Sequence, residues 1–197
     1  MHSIFVTKMM DTSRDVREEV AQVFVDGYYD ELSYFTKDRR KLILAFKNLF
    51  NAEVLYLAEM EGEIVGMLGC SSNRQRAMPV QLEPLKEAFG AQVGELAYQV
   101  LKNEFNTALL HDDETGYIEC VATLKGARGK GVSTTLMKYV MDELPYRRFL
   151  LEVTDANHAA RRLYQKMGFR EIERTVEENA EVQGFQARIY MEWSRAD

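Results

Sequence analysis

The sequence predicts a single α/β domain, a two-layer or three-layer sandwich, and three observations carry that prediction. Strand-like and helix-like segments alternate through the C-terminal half, an order that places at least one parallel strand pair at the centre of a sheet. Two apolar runs before residue 72 are joined by Glu61-Gly62, a tight hairpin signal. The 197 residues, 46% hydrophobic and 11% aromatic, suffice for one core, and no repeat, low-complexity tract or Pro/Gly/Ser-rich linker divides them.

Taken in order, Ile4 to Lys8 reads as an opening strand. Asp11, Thr12 or Ser13 can cap a helix that carries Val16, Val20, Val23, Phe24 and Tyr28 on its apolar side. A second helix, Lys37 to Phe50, presents Leu42, Ile43, Phe46, Leu49 and Phe50. The period then changes to two, giving the hairpin strands Glu53 to Met60 and Glu63 to Ser71. From Leu82 to Phe105 the spacing is helical again, with a break near Gly90 or Gly94. The remainder alternates: strand Tyr117 to Leu124, helix Gly131 to Leu144, strand Arg148 to Thr154 and helix Asn157 to Met167. Strands near Phe169 to Thr175 and Phe185 to Trp193 close the chain.

A net charge of -6 argues against nucleic acid as the main partner, because phosphate binding needs a basic footprint. The same charge suits a cationic or small-molecule substrate, and it also simply keeps a protein soluble. Cys70 and Cys120 are too few for a disulfide framework and lie in apolar runs, where cysteine acts as a small hydrophobe. No apolar run approaches the ~18 residues of a membrane span and no leader pattern opens the chain, so a soluble, cytoplasmic protein without a membrane partner is expected. His2, His111 and His158 carry no partner pattern, and His111-Asp-Asp-Glu114 reads as a polar turn before a strand; no metal is expected.

The most informative stretch is Thr123-Leu-Lys-Gly-Ala-Arg-Gly-Lys-Gly-Val-Ser-Thr-Thr-Leu136, between a strand and a helix. Gly126, Gly129 and Gly131 allow a tight turn and close backbone approach to a ligand. The N–H groups at the following helix start then favour an anion. Arg128 and Lys130 add charge, and Ser133, Thr134 and Thr135 add hydroxyls, so the loop suits a diphosphate. A P-loop needs Gly-Lys followed by Ser or Thr, but Gly131 follows Gly129-Lys130. A dinucleotide fingerprint needs a third glycine where Thr134 stands.

Arg128-Gly129-Lys130-Gly131-Val132-Ser133 resembles the R/Q-x-x-G-x-G/A loop of the GNAT superfamily of N-acetyltransferases, with Ser133 in place of the last small residue. The proline that the family carries after the preceding strand is absent from Thr123-Leu-Lys125. The stretch Leu151 to Phe169 resembles a second family pattern, L-x-V…N-x-x-A-x-x-L-Y-x-x-x-G-F, with Asn157, Tyr164 and Gly168-Phe169 in the matching places. Together the two motifs span about residues 117 to 169.

The resemblance implies one domain over 1–197 with a mixed, mostly antiparallel central sheet flanked by helices. It implies acetyl-CoA as cosubstrate and direct acetyl transfer to an amine. Val121, Ala122 and Thr123 would hold the pantetheine arm and the acetyl carbonyl. Arg128, Gly129, Lys130, Gly131, Val132, Ser133 and Thr134 would hold the diphosphate, with Asn157 also at the coenzyme. Asn157 equally suits a helix N-cap. Tyr164 is the candidate acid for the departing thiolate, and otherwise a core tyrosine. Glu119 and Glu152, each mid-strand in an apolar run, are candidate bases; a solvent-facing carboxylate or a water chain is the alternative.

Residues 72–114 separate the third and fourth strands, which the basic family fold joins more directly. This helical insertion is expected to shape the acceptor site or a contact between the subunits of a homodimer. Three readings of function stay open: an N-acetyltransferase of a small amine, a protein or peptide N-acetyltransferase, and a coenzyme-A-binding sensor without turnover. A closed pocket beneath the insertion would favour the first, and a groove open at both ends the second.

Overall fold

Every predicted strand forms, its ends moved by no more than two residues. The computed structural model describes residues 3–178 and 184–195. The strands are β1 (Phe5–Lys8), β2 (Leu55–Met60), β3 (Glu63–Ser71), β4 (Thr115–Thr123), β5 (Arg148–Thr154), β6 (Arg170–Val176) and β7 (Ala187–Ser194). They build one seven-stranded sheet in the order β1-β2-β3-β4-β5-β7-β6. Only β4 and β5 run parallel; the five other pairings are antiparallel. The parallel pair falls where the strand–helix–strand order required it.

The helices are α1 (Arg17–Gly27), α2 (Tyr29–Leu32), α3 (Arg39–Phe46), α4 (Leu82–Phe89), α5 (Ala91–Phe105), α6 (Val132–Glu143) and α7 (His158–Lys166). Three differ from the sequence expectation. The first helix starts at Arg17 and is not capped by Asp11, Thr12 or Ser13. Residues Met9–Asp11 form a 3-10 turn, the Thr12 hydroxyl donates to the Met9 carbonyl at 2.8 Å, and Asp15 accepts from the Arg17 N–H at 3.1 Å. A Thr12 hydroxyl turned to a carbonyl behind it caps nothing ahead of it. The short α2, one turn long, escapes a period-based reading altogether. And α3 starts later than Lys37, where Asp38 caps it by accepting from Arg40 and Lys41, and ends at Phe46 instead of Phe50. The long run between β3 and β4 breaks at Gly90, at φ +85°, into the antiparallel pair α4 and α5.

Two cores lie on the two faces of the sheet. Helices α1, α3, α4 and α5 cover Leu55, Leu57 and Met67, while α6 and α7 cover Leu68, Leu151, Val153 and Met191. Cys70 and Cys120 are free and buried, as small hydrophobes would be. Among the described residues no helix is long and apolar enough to cross a membrane.

Candidate active site

Strands β4 and β5 begin side by side and then part. Their pairing runs from Thr115 opposite Arg148 to Ile118 opposite Leu151 and stops there. Beyond it β4 stays bonded to β3 as far as Thr123, and β5 stays bonded to β7 as far as Thr154. Glu119–Thr123 and Glu152–Thr154 therefore face each other across an opening with their inner edges unpaired. A bulge in β4 contributes to the parting: Cys120 takes φ +54°, and Cys120 with Val121 stands opposite Leu68 alone. Ile118 packs with the α6 side, whereas Cys120 and Ala122 pack with the α1 side, so the bulge changes which face the strand presents.

The end of α1 pins this bulge and the loop after it. The Tyr28 hydroxyl donates to the Val121 carbonyl at 3.3 Å, and Asp26 accepts from the Lys125 N–H at 2.7 Å. Arg128 folds back onto the loop, donating to the carbonyls of Thr123 at 3.2 Å and Asp26 at 3.3 Å. Gly129 and Gly131 take φ +78° and +87°, which explains both glycines, and no atom lies within 4 Å of where a Cβ would stand. Gly126 faces equally open space without positive φ, so the turn does not require it. Ser133 and Thr123 share a hydroxyl hydrogen bond of 2.9 Å, Thr135 donates to the Gly131 carbonyl at 3.0 Å, and Lys130 is exposed. The N–H groups of Val132, Ser133 and Thr134 form the first turn of α6 and have no acceptor within the helix. A loop backbone open to solvent beside such a helix start fits a diphosphate.

From the opposite face α7 supplies two of the predicted residues. Asn157 caps it, its Oδ1 accepting from the Ala160 N–H at 3.1 Å. Tyr164 is buried against Phe169, and burial pushes its phenol up to about 12. Burial also raises the Tyr28 phenol well above its usual range, with the nearby Cys120 and Tyr164 adding to the effect. Tyr28 packs with the core on the α1 side of the sheet and Tyr164 with the core on the α6 side.

The glutamates differ in their engagement. Glu119, its side chain 8% exposed, accepts from Ser71 Oγ, from the Ala77 N–H at 3.1 Å and from Arg76 Nε and Nη2 at 3.2 and 2.6 Å. Arg76 in turn donates to the carbonyls of Thr107 and Glu104, which ties the end of the α4–α5 segment to the bulge. Glu152, the first β5 residue beyond the last paired position, meets Arg188 Nη1, at 2.6 Å, and the Tyr190 hydroxyl. It lines a cleft of about 490 Å³ that Tyr117, Tyr190 and Arg188 also border, together with Asn103, Glu104 and Thr107 at the end of α5 and just after it. Asp112 caps the turn before β4, bonding the Glu114 N–H, Thr115 and Arg148, while Asp113 pairs with Arg74. Among the described residues no group of three or more His, Cys, Asp or Glu side chains could hold a metal ion.

Of the residues expected at the site, Glu119 and Glu152 follow the last paired positions of β4 and β5, the glycine loop follows β4, and Tyr164 packs in the core on the α6 side of the sheet. Sequence reasoning missed Tyr28, Arg76, Glu104, Arg188 and Tyr190. Tyr28 sat on an apolar helix face and read as core, and the other four stand in no motif.

The sequence model of the acetyltransferase (GNAT) family matches residues 15–169. No curated protein matches in sequence. Among solved structures, an N-acetyltransferase from Staphylococcus aureus superposes with a TM-score of 0.61 at 16% identity, covering 96% of this chain and 100% of its own. An acetyltransferase of the GNAT family from Streptococcus pneumoniae gives 0.58 at 15%, over 98% and 100%. The ribosomal-protein-S18-alanine N-acetyltransferase of Escherichia coli gives 0.56 at 14%, over 100% and 97%. At these identities the superpositions establish the shared fold.

Proposed function

The chain belongs to the acetyltransferase (GNAT) family, and on that premise we propose that it transfers an acetyl group from acetyl-CoA directly to a primary amine of a small molecule. The observation that supports the small-molecule reading is a cleft of about 490 Å³ beside the end of the β4–β5 pairing (the vertex of the opening), lined in part by residues at the end of α5. Bound acetyl-CoA supplies the activated acetyl carbonyl and a thiolate leaving group.

The chain's own groups divide the remaining work. The N–H groups at the start of α6, with Gly129, Gly131, Lys130, Ser133 and Thr134 around them, hold the diphosphate by dipole, charge and hydroxyl donors. Arg128 keeps the loop in shape through the Thr123 and Asp26 carbonyls and adds its charge. The unpaired inner edges of Val121–Thr123 and Glu152–Thr154 offer backbone groups to an extended arm, and donors on β4 face the oxygen where negative charge develops. Asn157 fixes the start of α7 and thereby the place of Tyr164.

In the chemical step the amine nitrogen bonds the acetyl carbon, the carbon–sulfur bond breaks, nitrogen loses a proton and sulfur gains one. Tyr164 gives the proton at sulfur: a phenol that titrates at about 12 keeps its proton throughout neutral pH. Glu152, at the cleft wall, takes the proton from nitrogen. Glu119, already holding four donors, keeps the vertex in shape and anchors Arg76.

Release of free coenzyme A thiol from acetyl-CoA, against amines, amino acids, polyamines and short peptides, tests this reading. Release that depends on a small amine and disappears in the Gly129→Val/Gly131→Val variant is the expected result. Release with peptides alone would transfer the function to a protein acceptor. Tight binding of acetyl-CoA without release for any acceptor would favour a sensor.

A further inference from the structure

The vertex cleft carries more negative charge than its own cations neutralise. Glu104, Glu152 and Glu173 line it, and Glu119 and Glu177 engage the two arginines that reach it. Arg76 is committed to Glu119 and to two backbone carbonyls. Arg188 divides its charge among three carboxylates, Glu152 at 2.6 Å, Glu177 at 3.2 Å and Glu104 at 3.4 Å. Glu173, on the edge strand β6, makes no ion pair among the described residues. Five carboxylates therefore stand against two guanidinium groups, both already engaged, with His111, stacked on Tyr117, as a further basic side chain in the lining, so the cleft favours a cation over an incoming carboxylate. Partial desolvation and the neighbouring Glu152 charge raise the Glu104 carboxyl against the opposing pull of Arg188 and Arg76. Tyr190 and Tyr117 complete the wall, the Tyr117 ring already meeting Arg76 and a stacked His111.

We infer that the acceptor is a short diamine or polyamine, carrying a second positive charge and no carboxylate, whose remote ammonium is held by Glu104 and Glu173. The inference deepens, and rests on, the reading of the vertex as the acetyl-transfer centre. The chemistry favours two charges over one. An acidic wall steadies the protonated form of an amine, whereas the attack needs the neutral form. A second ammonium in the same molecule offsets that field at the reacting nitrogen while it gains the attraction of the wall.

The test uses three acceptors of matched length: 1,5-diaminopentane, pentylamine and 5-aminopentanoate. Thiol release is measured for the intact protein and for Glu104→Gln and Glu173→Gln, with acetyl-CoA binding followed by calorimetry. The expected result is a kcat/KM about tenfold higher for the diamine than for the monoamine, and lowest for the aminocarboxylate. Each substitution should raise KM for the diamine about threefold, and less for the monoamine, the size of a partly exposed ion pair. Equal use of the three acceptors, or preference for 5-aminopentanoate, overturns the inference. So does binding of acetyl-CoA without release from any of the three, which leaves the coenzyme side intact. Failure to bind acetyl-CoA overturns the underlying reading instead.

Discussion

The two sides of the β4–β5 opening are built in different ways. The side assigned to the coenzyme is one continuous stretch, Val121 to Thr134, in which strand, turn and helix start follow each other within fourteen residues. Its shape comes from local causes: two positive-φ glycines, a hydroxyl pair and the free first turn of α6. The acceptor side is gathered from distant places, with Arg76 before α4, Glu104 on α5, Tyr117 on β4, Glu152 on β5, Glu173 on β6 and Arg188 on β7. One side is held by backbone geometry and the other by ion pairs between elements. A contiguous site tolerates change elsewhere in the fold, while an assembled one depends on each strut that brings its parts together.

Variants aimed at one side or the other can break or sharpen that contrast. The largest effect is expected at the strut. Arg76→Met strands Glu119 in a buried place, since their side chains are only 11% and 8% exposed. The loss should be about 3 kcal/mol of stability in denaturant unfolding, partly recovered in Arg76→Met/Glu119→Gln. In surviving protein, KM for the amine should rise more than KM for acetyl-CoA. An equal rise in both would mean that the two sides are not separable.

Next comes Tyr164→Phe, expected to lower kcat about 100-fold in steady-state assays and to leave acetyl-CoA affinity close to its original value. Because its pKa is raised, the protonated phenol persists into basic solution, so kcat should show no falling limb from this acid below about pH 10. A limb near neutrality that persists in the variant would give the proton donation to another group. Smaller again, Gly131→Val forces a β-branched side chain to φ +87°. It should weaken acetyl-CoA binding about 30-fold by calorimetry, through roughly 2 kcal/mol of backbone strain, with the amine's KM little changed.

The smallest effect belongs to Tyr28→Phe, which removes only the hydrogen bond to the Val121 carbonyl. About 1 kcal/mol is at stake, a fivefold fall in kcat/KM. Its fall should appear with both substrates, because the bulge lies between the two sides. A fall confined to one substrate would place Tyr28 on that side.

How much of this was legible beforehand follows the same division. The strands were readable because alternation and the Glu61-Gly62 turn are short-range signals, and β4–β5 had to be parallel once a helix separated them. Asn157 was readable as a cap for the same reason, and α3's true start at Asp38 shows the same signal outweighing apolar periodicity. Tyr28 was not readable as more than core, since nothing within α1 reveals that a carbonyl on β4 lies beyond its hydroxyl. The short α2 and the displaced start of α1 were missed because a single turn, or a hydroxyl spent on Met9, leaves no periodic trace.

By itself, then, the sequence determined the sheet's elements, the glycine loop and the helix that carries Tyr164. Each of these depends on dihedral preferences and spacings within some twenty residues, which a chain expresses in its own order. The tertiary structure alone decided that Glu119 is buried on Arg76 while Glu152 faces the cleft, and that Arg188 is shared by three acids. Two carboxylates in similar strand contexts acquire different roles only through the partners that distant segments bring, because Coulomb and hydrogen-bond energies depend on separation in space and not along the chain.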